Sequence, residues 1–125
     1  MAYSGWEISE KDRATLMGIM GAAYPDVIAH HITLRPFVRK DDPDELPPEV
    51  VAEAVGWADN GVGVQAIVVA INGSTKRPDG RTYHITWSIN RAAGYKPVDS
   101  NRVIELGWNV LFEPVPLTVT PKIFS

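Results

Sequence analysis

The sequence predicts an α+β fold dominated by antiparallel strands, and three observations carry that prediction. A run of helical period follows Ser9, two later stretches (residues 27–37 and 63–72) are rich in β-branched side chains, and turn-forming residues between positions 72 and 81 fold the second stretch back on residues 82–90. Ser9 reads as an N-cap with Asp12 three residues on, and Ala14, Leu16, Met17, Ile19 and Met20 supply an apolar stripe up to about Ala23, before Pro25. Residues 27–37 then read as one strand, because Pro36 would break a helix. A polar, Pro-rich loop, RKDDPDELPP, follows.

Pro47 and Pro48 suit the first turn of a second helix, with Val50, Val51, Ala54, Val55 and Ala58 on its buried side and Gly61 at its end. Residues 63–72 form a short apolar run suited to a central strand. The segment NGSTKRPDGR supplies Asn-Gly and Pro-Asp-Gly turns, so residues 82–90 return antiparallel to that strand behind a long hairpin tip. Ser100 or Asn101 caps a short helix ending at Gly107, and residues 109–113 and 117–124 read as strands interrupted by Pro114, Pro116 and Pro121.

With 125 residues, 45% of them hydrophobic, the chain suits one modest core and a single domain over residues 1–125. The lack of cysteine excludes disulfides, thiolate metal sites and thiol nucleophiles together. The N-terminal stretch is charged within ten residues, and the longest apolar run, residues 66–71, is far below the ~20 residues of a bilayer span. A cytoplasmic location without membrane partners is therefore expected, the host cytoplasm if the gene is a phage's. A net charge of −3 argues against binding duplex nucleic acid. The charge is uneven, with residues 35–59 acidic and residues 74–102 basic, so the second stretch is either a solvated loop or an attractor of a small anion.

The chemistry-bearing pattern is an internal echo: His31-Ile32-Thr33-Leu34 and His84-Ile85-Thr86-Trp87. Along a strand, positions two apart share a face, so each histidine pairs with its threonine. In the second copy Tyr83, Ile85, Trp87 and Ile89 make an apolar face, leaving Thr82, His84, Thr86, Ser88 and Asn90 on the other. In the first, Ile28, Ile32 and Leu34 are the buried set, opposite His31, Thr33 and Arg35. If the two strands lie side by side in one sheet, two imidazoles and two hydroxyls converge. That set suits acid-base chemistry on a phosphodiester, one imidazole accepting a proton from the attacking oxygen and the other supplying one to the leaving oxygen.

HITL and HITW resemble the paired H-h-T-h signatures (h apolar) of the 2H phosphoesterases. A helix before the first copy, a strand running into the second and GYKPVDSN after it make the order most similar to the compact Swiss Army Knife RNA repair-like branch and to phage anti-CBASS nucleases, which destroy cyclic-oligonucleotide signals. The resemblance implies two lobes of antiparallel sheet around a central cleft with helices outside, and a phosphodiesterase that needs no metal or other cofactor. It implies acid and base roles for His31 and His84, with the assignment between them open, and phosphate contacts for Thr33 and Thr86. The short chain favours a small cyclic nucleotide or short oligonucleotide. The alternatives are processing of RNA ends that carry 2′,3′-cyclic phosphate, and sequestration of a cyclic nucleotide without cleavage.

Three further residues are candidates for substrate binding: Lys96 and Tyr95 in the Gly-Tyr-Lys-Pro loop, and Glu113, which could orient an imidazole or bind a base edge. Lys76, Arg77 and Arg81 read as a solvated hairpin tip able to steer an anion, and Trp6, Trp57 and Trp108 as packing residues. Alternation places His30 on the face opposite His31, so the pair would not share a metal ion. No phosphate-binding G-x-x-x-x-G-K-[ST] loop and no G-x-S-x-G elbow is present.

Overall fold

The N-terminal segment AYSGWEI forms the first strand, β1 (Ala2–Ile8), with Ala2, Ser4, Trp6 and Ile8 buried. The computed structural model describes residues 2–125. Helix α1 (Glu10–Met20) follows, its N-terminus capped by Ser9 Oγ, which accepts from the backbone N–H of Asp12 at 3.2 Å. It ends at Gly21, whose φ of 65° is a left-handed exit.

The expected strand over residues 27–37 is two elements. Strand β2 (Asp26–Val27) pairs with one sheet and β3 (His31–Val38) with another. The break is at Ala29, buried and at φ 41°. Before it, the amides of Ile28 and Ala29 donate to the carbonyls of Trp87 and Thr86 at 2.9 and 3.0 Å; after it, His30 accepts from the Ile8 amide at 3.1 Å. One left-handed residue thus hands the chain from one sheet to the other.

The second expected helix is also corrected. Residues 52–59 form strand β4 (Ala52–Asp59), with Ala52, Ala54, Gly56 and Ala58 buried in alternation. Strand β5 (Val64–Ile71) is buried along its whole length, and β6 (His84–Ile89) returns antiparallel to it, as the hairpin signals predict. Helix α2 (Ser100–Glu105) precedes β7 (Asn109–Leu117) and β8 (Val119–Phe124). Pro114 and Pro116 do not interrupt β7. It is an edge strand, where a residue without an N–H leaves no ladder bond unmade on the open side.

The result is an α+β molecule of two antiparallel sheets, one ordered β3-β1-β8 and the other β2-β6-β5-β4-β7. Trp6, Ile8, Leu16, Ile32, Ile67, Ile85 and Trp87 fill the space between them, under α1. On the far face of the larger sheet, Val64, Val68, Ile89, Val103 and Ile104 pack under α2. A sheet covered on both faces explains why β5 has no polar alternation. No helix is long and apolar enough to cross a membrane among the described residues.

Candidate active site

His31 opens β3 and His84 opens β6, each followed two residues later by its threonine. The strands are not neighbours in one sheet, as the simplest reading of the echo assumes. They belong to different sheets, because the turn at Ala29 sends β3 away from β6. The four side chains nevertheless line one hollow of about 340 Å³. Tyr3 and Pro36 contribute from the smaller sheet, Ile28 from the joint between sheets, Arg77 and Arg81 from the hairpin tip, and Pro97, Val98 and Asn101 from the turn into α2.

The His31 ring is enclosed by the rings of Tyr3 and Phe124, with centroids 5.1 and 4.9 Å away. Burial pushes its pKa down to about 4, positive charge on His30 or His84 acts the same way, and Glu7 opposes the shift. Burial also lowers the pKa of His84, helped by the Arg77 and Arg81 charges and countered by the Thr82 carbonyl. That carbonyl lies 2.9 Å from His84 Nδ1, so Nδ1 carries a hydrogen and Nε2 is the nitrogen left for chemistry.

His30 departs from expectation. It precedes β3, beside Ala29 in its left-handed conformation, so strand alternation does not govern it. Its Nδ1 sits 3.2 Å from Nδ1 of His31, with the rings edge-on. Among the described residues no three His, Asp or Glu side chains converge as metal ligands.

The two threonines differ. Thr33 is half-buried on the wall with no side-chain hydrogen bond among the described residues, whereas Thr86 is committed. Its hydroxyl donates to the Pro97 carbonyl at 3.2 Å and meets Ser100 Oγ at 2.9 Å, tying the turn into α2 onto β6. Thr86 therefore shapes the wall of the hollow it lines, and its hydroxyl, unlike that of Thr33, must exchange a bond to reach a ligand oxygen.

Two arginines also line the hollow. Arg77 is only 4% exposed, its Nε and Nη2 held by the two carboxylate oxygens of Asp79 at 3.0 and 2.6 Å. The same carboxylate accepts from the Arg81 amide at 3.1 Å, and the Arg77 amide donates to the Arg81 carbonyl at 2.7 Å. The Arg77 guanidinium holds the Asp79 carboxyl below its usual range. The RPDGR segment is thus an exposed tip, as expected, except at Arg77, which is buried, and its internal bonds bring both arginines to the edge of the hollow. Its sequence signal was the Asp between the arginines, since a carboxylate accepts a guanidinium through two parallel bonds.

Tyr95, Lys96 and Glu113 lie outside the lining. The Tyr95 ring packs over Gly63, where a Cβ would come within 2.1 Å of it. Lys96 is exposed, its amide held by Asp99 at 2.8 Å. Glu113 is exposed on β7, at the edge of the larger sheet with β4 and β5 between it and β6, so it does not orient His84. No family model, curated protein or solved structure matches the chain.

Proposed function

We propose that the protein is a phosphodiesterase that uses paired-histidine acid-base chemistry, without a metal, on a small cyclic oligonucleotide. The observation that carries the reading is the meeting of both His-x-Thr segments, from separate sheets, at one hollow that also holds Arg77 and Arg81. In this reading one imidazole removes a proton from the attacking oxygen, a ribose 2′-hydroxyl or water, and the other gives a proton to the leaving oxygen. The Thr33 hydroxyl and the two arginines hold the non-bridging oxygens and offset the charge that builds there. The hollow is near the lower end of ligand-pocket volumes, roughly 300–1,000 Å³, which suits one nucleotide unit at the reacting phosphate with the rest of the ring outside.

The test is incubation of purified protein, with EDTA present, against 2′,3′-cyclic mononucleotides, cyclic dinucleotides and cyclic trinucleotides. Cleavage of the larger rings is expected, with His31→Ala and His84→Ala each slower by roughly 10²- to 10⁴-fold. Turnover of the monomeric 2′,3′-cyclic compounds alone would transfer the assignment to RNA end processing. Tight binding without products would make the protein a sequestering one, and activity abolished by chelation would refute the metal-free mechanism.

A further inference from the structure

We infer that Glu7 and His30 form a relay behind His31 that sets it as the general base, its Nε2 lone pair turned to the substrate, and that His84 is the general acid. The inference rests on the phosphodiesterase reading for its chemistry, but its structural content stands on distances alone. Lys122 Nζ lies 2.8 Å from Glu7 Oε1, Glu7 Oε2 lies 3.5 Å from His30 Nε2, and His30 Nδ1 lies 3.2 Å from His31 Nδ1. Two ring nitrogens that face each other share one hydrogen, so one is donor and the other acceptor. The Glu7 carboxylate favours a hydrogen on His30 Nε2. A neutral imidazole with its hydrogen there has its lone pair on Nδ1, so His30 accepts and His31 donates from Nδ1. His31 Nε2 is then left with the lone pair a base requires.

His84 has no such partner. Its Nδ1–H points at the Thr82 carbonyl, which only accepts, so the imidazolium form keeps that bond unchanged. An entering phosphate anion offsets the opposing Arg77 and Arg81 charges and favours the His84 imidazolium. In the reaction, the attacking oxygen forms its bond to phosphorus as its proton passes to His31 Nε2. The bond from phosphorus to the leaving oxygen breaks as that oxygen takes the proton from His84 Nε2. His31 ends as imidazolium, balanced by Glu7 through His30, and His84 ends neutral; exchange with solvent resets both.

The relay also makes the base conditional. A doubly protonated His30 donates from Nδ1, and His31 must then carry its hydrogen on Nε2 and loses its function as base. The charged and titratable groups that act on this chain from outside it are His84 on β6, which acts on His31, and Lys122 on β8 and Arg13 on α1, which act on Glu7; the Tyr3 ring packs against His31.

The experiment measures imidazole ¹⁵N shifts at neutral to mildly alkaline pH in the wild type, Glu7→Gln, His30→Ala and His30→Asn, beside kcat and KM for each. His31 is expected to be protonated at Nδ1 in the wild type and to drift toward the Nε2–H form in His30→Ala. The expected kcat loss is about 10- to 100-fold in His30→Ala and smaller in Glu7→Gln, with KM unchanged because neither side chain lines the hollow. His30→Asn, whose side-chain oxygen can accept from Nδ1–H and does not titrate, is expected to recover most of the rate. A wild-type His31 with its hydrogen on Nε2, or equal rates in His30→Ala and His30→Asn, would overturn the relay. If the wild type cleaves no phosphodiester, the functional reading fails while the ¹⁵N tautomer still decides the relay.

Discussion

His31 couples the site to stability. Its folded pKa of about 4 lies below the 6.5 of an exposed histidine, so between those values the unfolded chain binds more protons than the folded one. The stabilisation is therefore complete above pH 6.5 and is lost as pH falls toward 4, by up to about 3 kcal/mol. His84, also lowered, adds to the same loss, and the lowered carboxyls of Glu7 and Asp79 begin to lose theirs only near their ordinary values of 4.5 and 3.8, at the acidic end of the window. Thermal melts from pH 7 to pH 4 are expected to show a falling Tm in the wild type and a flatter response in His31→Gln. Asp79 offers a second check: Asp79→Asn leaves the buried Arg77 guanidinium without its countercharge. Because Asp79 is itself partly exposed, the expected loss is about 1–3 kcal/mol. Inorganic phosphate should stabilise that variant more than the wild type, measured as the shift in Tm across a phosphate titration. The His-x-Thr echo was legible because each pair lies within one strand, where spacing alone decides the face. The burial of Arg77 was not, since the turn sequence fixes its pairing with Asp79 and not what covers it in the folded chain.

At the level of elements, local pattern was sufficient where one period fitted and failed where two did. Val50, Val51, Ala54, Val55 and Ala58 match a helical stripe, yet residues 52, 54, 56 and 58 also alternate with period two, and the structure takes the second. Gly56 was the discriminating residue, because Trp108 and the Asn109 carbonyl occupy the space a Cβ would need. Glycine is a poor helix former but suits a strand that another segment approaches closely. Strand β1 went unread, since its alternation is short and broken by Gly5, which is itself required. A Cβ there would meet the Ile32 carbonyl oxygen at 2.0 Å, directly beneath the first motif, where Gly5 pairs with Thr33. Gly5→Ala is expected to cost about 1–3 kcal/mol by overpacking and to slow turnover by displacing Thr33, as denaturant melts and rate assays would report. Ser9→Ala, which removes only the cap of α1, should cost about 1 kcal/mol and leave kcat unchanged.

Across the whole molecule, an overall charge of −3 coexists with a hollow whose lining has two arginines and no carboxylate, although Asp79 beside it balances Arg77. In the proposed function an anionic substrate is drawn chiefly to Arg81, so kcat/KM should fall as salt is raised from 20 to 300 mM, and a flat response would count against steering by that residue. The α+β class and the antiparallel hairpin were readable from residue order and more than one sheet was implied by the resemblance, but the parting of residues 27–37 between two sheets was not, because it depends on the backbone at Ala29. That joint limits how a ligand enters. The chain is fastened to β6 through the Ile28 and Ala29 amides and to β1 through the His30 carbonyl, so the histidine-bearing walls are riveted together at their root. In the proposed function a substrate is therefore expected to enter over the opposite rim, where the arginine turn and the segment leading into α2 frame the aperture.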